Sequence, residues 1–275
     1  MKIENLINQI KRKKSFLCVG LDVDLDKIPK HLHKHEDPIF EFSRAIIDST
    51  SPFAIAYKPN LAFFESYGLK GWNSLEKIIN YINSNYPEIF TIADAKRGDI
   101  GNTSSKYAKT FFETFNFDSI TVNPYMGRDS IEPFLEYDNK YTILLSLTSN
   151  SGSSDFQFQL DGEPPLYLSV IKKSLNWKNK DNLMYVIGAT KAESLKEVRE
   201  IIPNSFLLVP GIGAQGGSLS DVCRFGLNEN CGLIVNSSRQ IIYSDNSIDY
   251  AKKSAEISSL IQKEMSEQLL KKGII

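Results

Sequence analysis

One short segment of the chain, residues 90–103, carries charged residues in an order that could support proton chemistry. It starts as an apolar run and then presents Asp94, Lys96 and Asp99. If the run is a β-strand, Asp94 and Lys96 point to the same side, because side chains alternate along a strand. Burying such a charged pair is costly unless it serves a purpose. The segment therefore indicates a site at the end of a strand.

A second charge, Lys58, ends another apolar run and would lie beside this pair if the two strands were neighbours. Alternating lysines and aspartates would keep the lysines protonated and the carboxylates ionised. A purely structural alternative is an ion pair followed by a helix that Asn102 or Thr103 caps. That alternative leaves Lys58 unexplained.

The elements that must position these residues form a regular alternation of short apolar runs and amphipathic stretches. Eight such runs predict a single (β/α)8 TIM barrel of the α/β class over residues 1–275, since parallel strands need crossover helices and such barrels take about 250 residues. Active sites of these barrels lie at the C-terminal ends of the strands. The predicted strands are residues 16–21, 53–57, 90–93, 119–122, 141–147, 183–187, 206–209 and 232–235, and the predicted helices are 38–49, 72–83, 103–115, 166–177, 192–201 and 248–270.

The composition favours a small-molecule partner. The 32 basic and 33 acidic residues nearly cancel, so no large field of one sign is present to hold nucleic acid or an anionic membrane. No segment approaches the roughly 20 apolar residues that span a bilayer, and the apolar run after Lys11–Lys14 is too short for a signal peptide. The three cysteines lack paired or metal-ligand spacing, which predicts reduced thiols in the cytoplasm.

A glycine-rich loop, residues 211–217, follows the seventh predicted strand and matches G-x-G-x-x-G. A dinucleotide-binding fold would need an acidic residue after the next strand, whereas that strand is followed by Asn236, Ser237 and Ser238. Barrels often bind phosphate with the loops after strands seven and eight, where glycine backbone N–H groups approach the anion. Gln215 and Arg239 would then add side-chain donors.

Three alternating histidines, His31, His33 and His35, could suggest a metal site. Lys34 lies among them and no partner cluster of ligands is apparent in the sequence. We interpret this segment as a solvated loop and predict no metal site.

The pattern Asp-x-Lys-x-x-Asp-Ile-x-x-Thr, from Asp94 to Thr103, resembles the signature of orotidine 5'-phosphate decarboxylases. The resemblance covers nearly the whole chain and includes residues 20–22, Lys58, residues 211–217 and the pair Ser238 and Arg239. Residues 122–125 and 147–150 are similar to the longer bacterial type 2 subgroup.

The resemblance implies conversion of orotidine 5'-phosphate to uridine 5'-phosphate without a cofactor or metal. Lys96 would protonate C6 of the pyrimidine, and Asp94 would lie against the departing carboxylate. A homodimer with shared sites also follows from the resemblance. The other implied contacts are Asp22 and Lys58 to the ribose, Thr148, Ser149 and Asn150 to the pyrimidine, Gln215, Gly216, Ser238 and Arg239 to the phosphate, and Asp99, Ile100 and Thr103 to the site of a partner subunit.

Alternatives remain for parts of this interpretation. Many relatives have glycine where this chain has Ser238, so the backbone contact implied there falls on a residue that carries a side chain. Without the resemblance, Asp99 could equally cap its own helix. A metal-dependent sugar-phosphate decarboxylase or aldolase would use carboxylates on Mg²⁺, which the ammonium of Lys58 would repel. A silent nucleotide-binding barrel would need no aspartate beside a substrate carboxylate.

Overall fold

The computed structural model of the chain, which describes residues 1–159, 164–212 and 216–275, contains eight parallel strands that close into a barrel in sequence order. Leu17 of the first strand pairs with Ala54 of the second and with Val235 of the eighth, which closes the ring. The prediction of a (β/α)8 barrel is confirmed. The strands are β1 (Leu17–Leu21), β2 (Ala54–Pro59), β3 (Phe90–Arg97), β4 (Ser119–Val122), β5 (Tyr141–Leu147), β6 (Leu183–Ile187), β7 (Leu207–Val209) and β8 (Leu233–Ser237).

Helices cover the outside of the barrel, and each predicted amphipathic stretch overlaps one of them. The helix after β3 starts two residues earlier than predicted, at Gly101, and neither Asn102 nor Thr103 caps it. The helices are α1 (Ile3–Lys13), α2 (Pro38–Thr50), α3 (Leu61–Glu65), α4 (Gly68–Asn85), α5 (Gly101–Lys109), α6 (Glu132–Leu135), α7 (Leu166–Ser174), α8 (Ser194–Ile201), α9 (Leu219–Gly226), α10 (Arg239–Ile242) and α11 (Tyr250–Lys272).

Local sequence explains several of these boundaries. Helix α2 begins with Pro38, whose missing N–H would have no partner there, and the Asp37 carboxylate accepts a hydrogen bond from the backbone N–H of Phe40. Helix α9, which the sequence pattern did not reveal, is capped by the Ser218 hydroxyl. Helix α11 ends at Gly273, whose positive φ suits glycine.

The strands are buried on both faces, as expected where helices cover a parallel barrel. Cys18, Cys223 and Cys231 are buried free thiols. His33 and His35 are exposed, and the described residues contain no group of three or more His, Cys, Asp and Glu side chains that could hold a metal ion. Across the described ranges, no helix is both long and apolar enough to cross a membrane.

Candidate active site

A cavity of about 610 Å³ opens at the C-terminal ends of the strands. Its volume lies within the range of small-molecule sites, roughly 300–1,000 Å³. Every strand of the barrel or the residue directly after it contributes to the lining. One lining residue from each, in order from β1 to β8, is Asp22, Lys58, Asp94, Thr121, Leu145, Val186, Leu208 and Asn236.

Three charged side chains from β2 and β3 meet on the floor of this cavity. Asp94 Oδ2 accepts a hydrogen bond from Lys58 Nζ at 2.6 Å, and Asp94 Oδ1 accepts one from Lys96 Nζ at 2.5 Å. The side chains of Lys58 and Asp94 are only 5% and 10% exposed, whereas that of Lys96 is 50% exposed. Each oxygen of Asp94 therefore holds one ammonium, and Lys96 alone of the three presents its charge broadly to the cavity.

The backbone reaches this arrangement through an irregularity in β3 rather than by simple alternation. Ala93 pairs with Ile120 and Arg97 pairs with Val122, so four steps along β3 match two steps along β4. Lys96 has a φ of +49°, in the left-handed region that residues with a Cβ rarely adopt. The expectation that Asp94 and Lys96 share a side is met, but its stated cause, regular strand alternation, was wrong.

The charges in the cluster stabilise one another. Burial by itself would lower the pKa of Lys58, but attraction to Asp94 and Asp22 outweighs it and raises that pKa above its ordinary value. Burial would likewise raise the pKa of Asp94, and the neighbouring ammonium groups of Lys58 and Lys96 lower it well below its usual range. Both Lys58 and Asp94 are therefore charged at neutral pH.

Asp22, directly after β1, also lines the cavity. Its Oδ1 atom is buried and has no hydrogen-bond partner within the described part of the chain. A buried carboxylate oxygen without a donor is costly, and a ligand hydroxyl would satisfy it. This geometry suits the ribose contact expected from the sequence.

The end of the cavity near β7 and β8 contains Gly211, Ser238 and Arg239, together with Lys27 from the loop after β1. The Ser238 hydroxyl accepts a hydrogen bond from Asn236 Nδ2 at 3.2 Å and packs against Gly20, where a Cβ atom would collide with it. The predicted phosphate contact Gly216 is exposed and is not among the residues that line the cavity, and Gln215 lies outside the described residues.

The three residues expected to read the pyrimidine, Thr148, Ser149 and Asn150, line the cavity from the loop after β5. Thr148 Oγ1 donates to Asn150 Oδ1 at 2.6 Å. Gln157 supports them, because its Oε1 atom accepts a hydrogen bond from the backbone N–H of Thr148 at 2.8 Å. The loop after β5 is thus held against the cavity by its own side chains.

The remaining predicted site residues, Asp99, Ile100 and Thr103, do not line the cavity of their own chain. Asp99 Oδ1 accepts a hydrogen bond from the backbone N–H of Ile100, whose side chain is 52% exposed, and Thr103 is exposed on α5. The N-cap position of α5 is Ile100, not Asp99, and no side chain caps the helix there. The alternative that Asp99 caps its own helix is therefore not what the structure shows.

Sequence reasoning missed several residues that line the cavity. Thr121 lies within an apolar strand and Phe63 within an apolar stretch, where both resemble core residues. Lys27 lies in a loop rich in charges, and neither Asn60 nor Tyr243 belongs to a sequence motif that indicates a site. Position directly after a strand is a usable signal for Asn60 only.

Comparisons with known proteins point to one family over nearly the whole length of the chain. The family model described as "Orotidine 5'-phosphate decarboxylase / HUMPS family" matches residues 15–254. The chain is 62% identical over 267 residues to a protein of Flavobacterium johnsoniae named orotidine 5'-phosphate decarboxylase, covering 97% of this chain and 98% of the relative. A protein of the same name from Bacteroides fragilis is 57% identical over 270 residues, 98% of each chain. The solved structure of Leishmania donovani OMP decarboxylase superposes with a TM-score of 0.80 at 36% identity, covering 96% of this chain and all of that one.

Proposed function

The chain belongs to the orotidine 5'-phosphate decarboxylase / HUMPS family, and from that premise we infer that it converts orotidine 5'-phosphate to uridine 5'-phosphate, the last step of UMP synthesis. The observation that carries the residue assignment is the cluster on the cavity floor, where Lys58 and Lys96 share one buried carboxylate, that of Asp94. In the proposed reaction the bond between C6 and the carboxyl carbon breaks, CO₂ leaves and its bonding electron pair stays on C6. The Lys96 ammonium then gives a proton to C6.

The cluster favours the transition state over the bound substrate. A substrate carboxylate placed against Asp94 meets a negative charge, and that repulsion disappears as CO₂ departs. The carbanion that forms at C6 is instead stabilised by the nearby ammonium of Lys96. Because Lys96 is half-exposed, solvent can return its proton before the next turnover.

The charges around the cavity suit a ligand that is anionic at both ends. Four cationic side chains line it, against the two carboxylates of Asp22 and Asp94, so the lining carries a net positive charge. We assign the pyrimidine to Thr148, Ser149 and Asn150, the ribose to Asp22 and Lys58, and the phosphate to Gln215, Gly216, Ser238 and Arg239. The four cationic side chains are Lys27, Lys58, Lys96 and Arg239.

We propose that the reaction needs neither a metal nor an organic cofactor. Both oxygens of Asp94 are occupied by ammonium groups at 2.5 to 2.6 Å, which leaves them poorly suited to a divalent cation. Asp22 would then be the one remaining carboxylate in the described lining, and the nearby ammonium of Lys58 would repel a divalent cation there. The metal-dependent sugar-phosphate alternative is disfavoured for this reason.

We further propose a cytoplasmic homodimer whose two sites are shared. The loops after β3 and β4 begin side by side, since the backbone N–H of Asn123, directly after β4, donates to the carbonyl of Arg97, the last residue of β3, at 2.7 Å. Together they expose large apolar side chains, with Ile100 52%, Met126 47% and Tyr125 91% exposed. A second copy packed on this face would bring its Asp99, Ile100 and Thr103 towards the first copy's cavity.

An absorbance assay with orotidine 5'-phosphate tests the assignment of Lys96. We expect Lys96→Ala to keep its affinity for uridine 5'-phosphate and to lose about 1,000-fold or more in turnover, since a positioned acid contributes roughly 10²–10⁴-fold. Lys196→Ala, an exposed lysine on α8, is the matched control and should leave turnover unchanged. Near-normal turnover in Lys96→Ala would overturn the role of Lys96, and loss of wild-type activity in EDTA would overturn the cofactor-free reaction.

Mixing two inactive variants tests the shared sites. In a dimer of Lys96→Ala with Asp99→Ala, one site combines the intact lysine of one copy with the intact aspartate of the other. Statistical exchange of subunits then restores about a quarter of the wild-type activity. If the mixture stays as inactive as its components, although subunits exchange, Asp99 acts within its own chain or not at all.

A further inference from the structure

The Thr121 hydroxyl is part of a closed ring of hydrogen bonds that also includes the Asp94 carboxylate and Lys96, the proposed proton donor. Thr121 is on β4 and is 1% exposed. Its Oγ1 atom accepts the backbone N–H of Lys96 at 2.9 Å and donates to Asp94 Oδ1 at 3.1 Å. The same carboxylate oxygen accepts Lys96 Nζ at 2.5 Å. The hydroxyl thus contacts both the backbone of Lys96 and the carboxylate that holds its ammonium.

This ring fixes the direction of every bond in it. A threonine hydroxyl has one proton, and the backbone N–H of Lys96 can only donate, so the proton of Thr121 must go to Asp94. An ionised carboxylate accepts only, which agrees with that direction. Since its one proton is committed to Asp94, Thr121 has none to donate to a ligand while the ring is intact.

The ring also explains how the irregular backbone at Lys96 is held. The left-handed φ of Lys96 is disfavoured for a residue with a Cβ atom. Such conformations persist where the surroundings over-determine them. The extra residues of β3 separate Lys96 from regular strand pairing, and the Thr121 hydroxyl provides the partner for its backbone N–H.

We propose that Thr121 is a positioning residue for decarboxylation, which orients the Lys96 ammonium towards the reacting carbon and the Asp94 carboxylate towards the departing carboxylate, through its hydrogen bonds to these two residues rather than through a contact with substrate. The proposal rests on the function proposed above. It predicts that loss of the hydroxyl lowers kcat while substrate and product still bind, because the cavity keeps its shape and all its charges. A residue that only supported the fold would change stability without this separation of kcat from KM.

The experiment compares Thr121→Val, which keeps the shape but removes the hydroxyl, with Thr121→Ser, which restores it. We expect Thr121→Val to lower kcat by about 10- to 100-fold, the effect of losing one hydrogen bond to a charged group. KM and uridine 5'-phosphate affinity should stay within about threefold, and Thr121→Ser should return kcat to within about threefold of wild type. Thr121→Ala replaces the valine variant if that variant does not fold.

Thr142→Val is the matched control. Thr142 lies on the adjacent strand β5, is fully buried, and its Oγ1 atom has no partner among the described residues. The same substitution there should leave kcat unchanged. The inference is wrong if Thr121→Val turns over within about twofold of wild type, if Thr121→Ser is as impaired as Thr121→Val, or if KM rises while kcat stays constant.

Hydrogen exchange of the Lys96 amide separates this inference from the proposed function. Thr121→Val should speed exchange at Lys96, because its backbone N–H loses its acceptor, while Thr142→Val should not. If wild-type protein fails to decarboxylate orotidine 5'-phosphate, the proposed function falls and this measurement still tests the hydrogen bond. If wild type is active and exchange at Lys96 is unchanged, Thr121 does not position it.

Discussion

Both ends of the barrel hold wholly or partly buried cationic side chains, but these find their hydrogen-bond partners in different ways. At the C-terminal end, Lys58 and Lys96 share the single carboxylate of Asp94. At the N-terminal end, the guanidinium of Arg199 on α8 has no carboxylate partner in the described residues and donates to backbone carbonyls instead. The carbonyls are those of Gly226 at 2.7 Å, Ser205 at 2.7 Å, Gly232 at 2.8 Å and Ile202 at 3.2 Å.

The difference separates a site from a structural link. Each guanidinium nitrogen of Arg199 has an acceptor, and those acceptors lie at the ends of α8 and α9 and just before β7 and β8. Burial lowers the pKa of Arg199 to about 10, which leaves it charged at neutral pH. At the other end, Lys96 is half-exposed and one oxygen of Asp22 has no partner in the described chain. The polar groups of Asp22 and Lys96 that remain available indicate where a ligand binds. The fully hydrogen-bonded guanidinium of Arg199 instead links helices and strands of the fold.

The largest effect that tests this contrast is expected from Asp94→Asn. The substitution keeps the size of the side chain but leaves two ammonium groups without their shared counter-charge. Turnover should fall by about 1,000-fold or more, since the neutral amide cannot hold the ammonium of Lys96 in place. The free energy of unfolding should also fall by about 3 kcal/mol, because Lys58 stays buried with only Asp22 nearby. Steady-state kinetics and urea unfolding measure the two effects.

A stable and active Asp94→Asn protein would contradict the idea that these charges exist for the reaction. Asp181→Asn, an exposed carboxylate at the N-terminal side of β6, is the control and should change neither quantity. Loss of stability without loss of turnover would make the cluster a structural ion pair, the alternative that the sequence left open.

The next largest effect is expected from Arg199→Met at the other end of the barrel. The change removes donors from four carbonyls at once, and unsatisfied buried carbonyls make it destabilising by about 3 kcal/mol. Turnover per folded molecule should stay within about twofold, because the cavity opens at the opposite ends of the strands. The free energy of unfolding of Arg199→Lys should lie between those of wild type and Arg199→Met, because an ammonium group cannot reproduce the planar set of guanidinium donors. Thermal unfolding and steady-state kinetics measure the two quantities. A fall in kcat without a fall in stability would contradict a purely structural role for Arg199.

The contrast also shows what could be predicted from the sequence. The barrel followed from short apolar runs, and Lys58, Asp94 and Lys96 stood out because they are charged residues at the C-terminal ends of apolar strands, where barrel enzymes place their active sites. Arg199 lies on the polar side of an amphipathic helix and looks like an ordinary solvated charge. Two of its four acceptors are carbonyls 27 and 33 residues away along the chain, and a backbone carbonyl cannot be recognised from the residue type that carries it.

Thr121 was missed for a related reason. A threonine in an apolar strand favours β-structure by its branching alone, so nothing in the sequence distinguishes it from a core residue. Its role depends on the irregular pairing of β3 with β4, which the sequence did not predict. The pairing between Asp94 and Lys96 could be predicted, whereas the backbone conformation that produces it could not.

The smallest effect concerns how stability changes with pH, and its sign follows from the charges of the cluster. The pKa of Asp94 is lower in the folded protein than in the unfolded chain, because Lys58 and Lys96 outweigh the effect of burial. Between these two pKa values the unfolded chain binds more protons, so stability rises with pH. The contribution is complete above about pH 5 and is lost as the pH falls towards the folded pKa, on the order of 2 kcal/mol in total. Urea unfolding from pH 3 to 7 should therefore show a shallower acid slope in Asp94→Asn than in wild type or Asp181→Asn. Equal slopes in all three proteins would mean that the ammonium groups do not lower the pKa of Asp94. The charge cluster at the C-terminal end of the barrel would then contribute no more to the pH dependence of stability than Arg199 does at the N-terminal end.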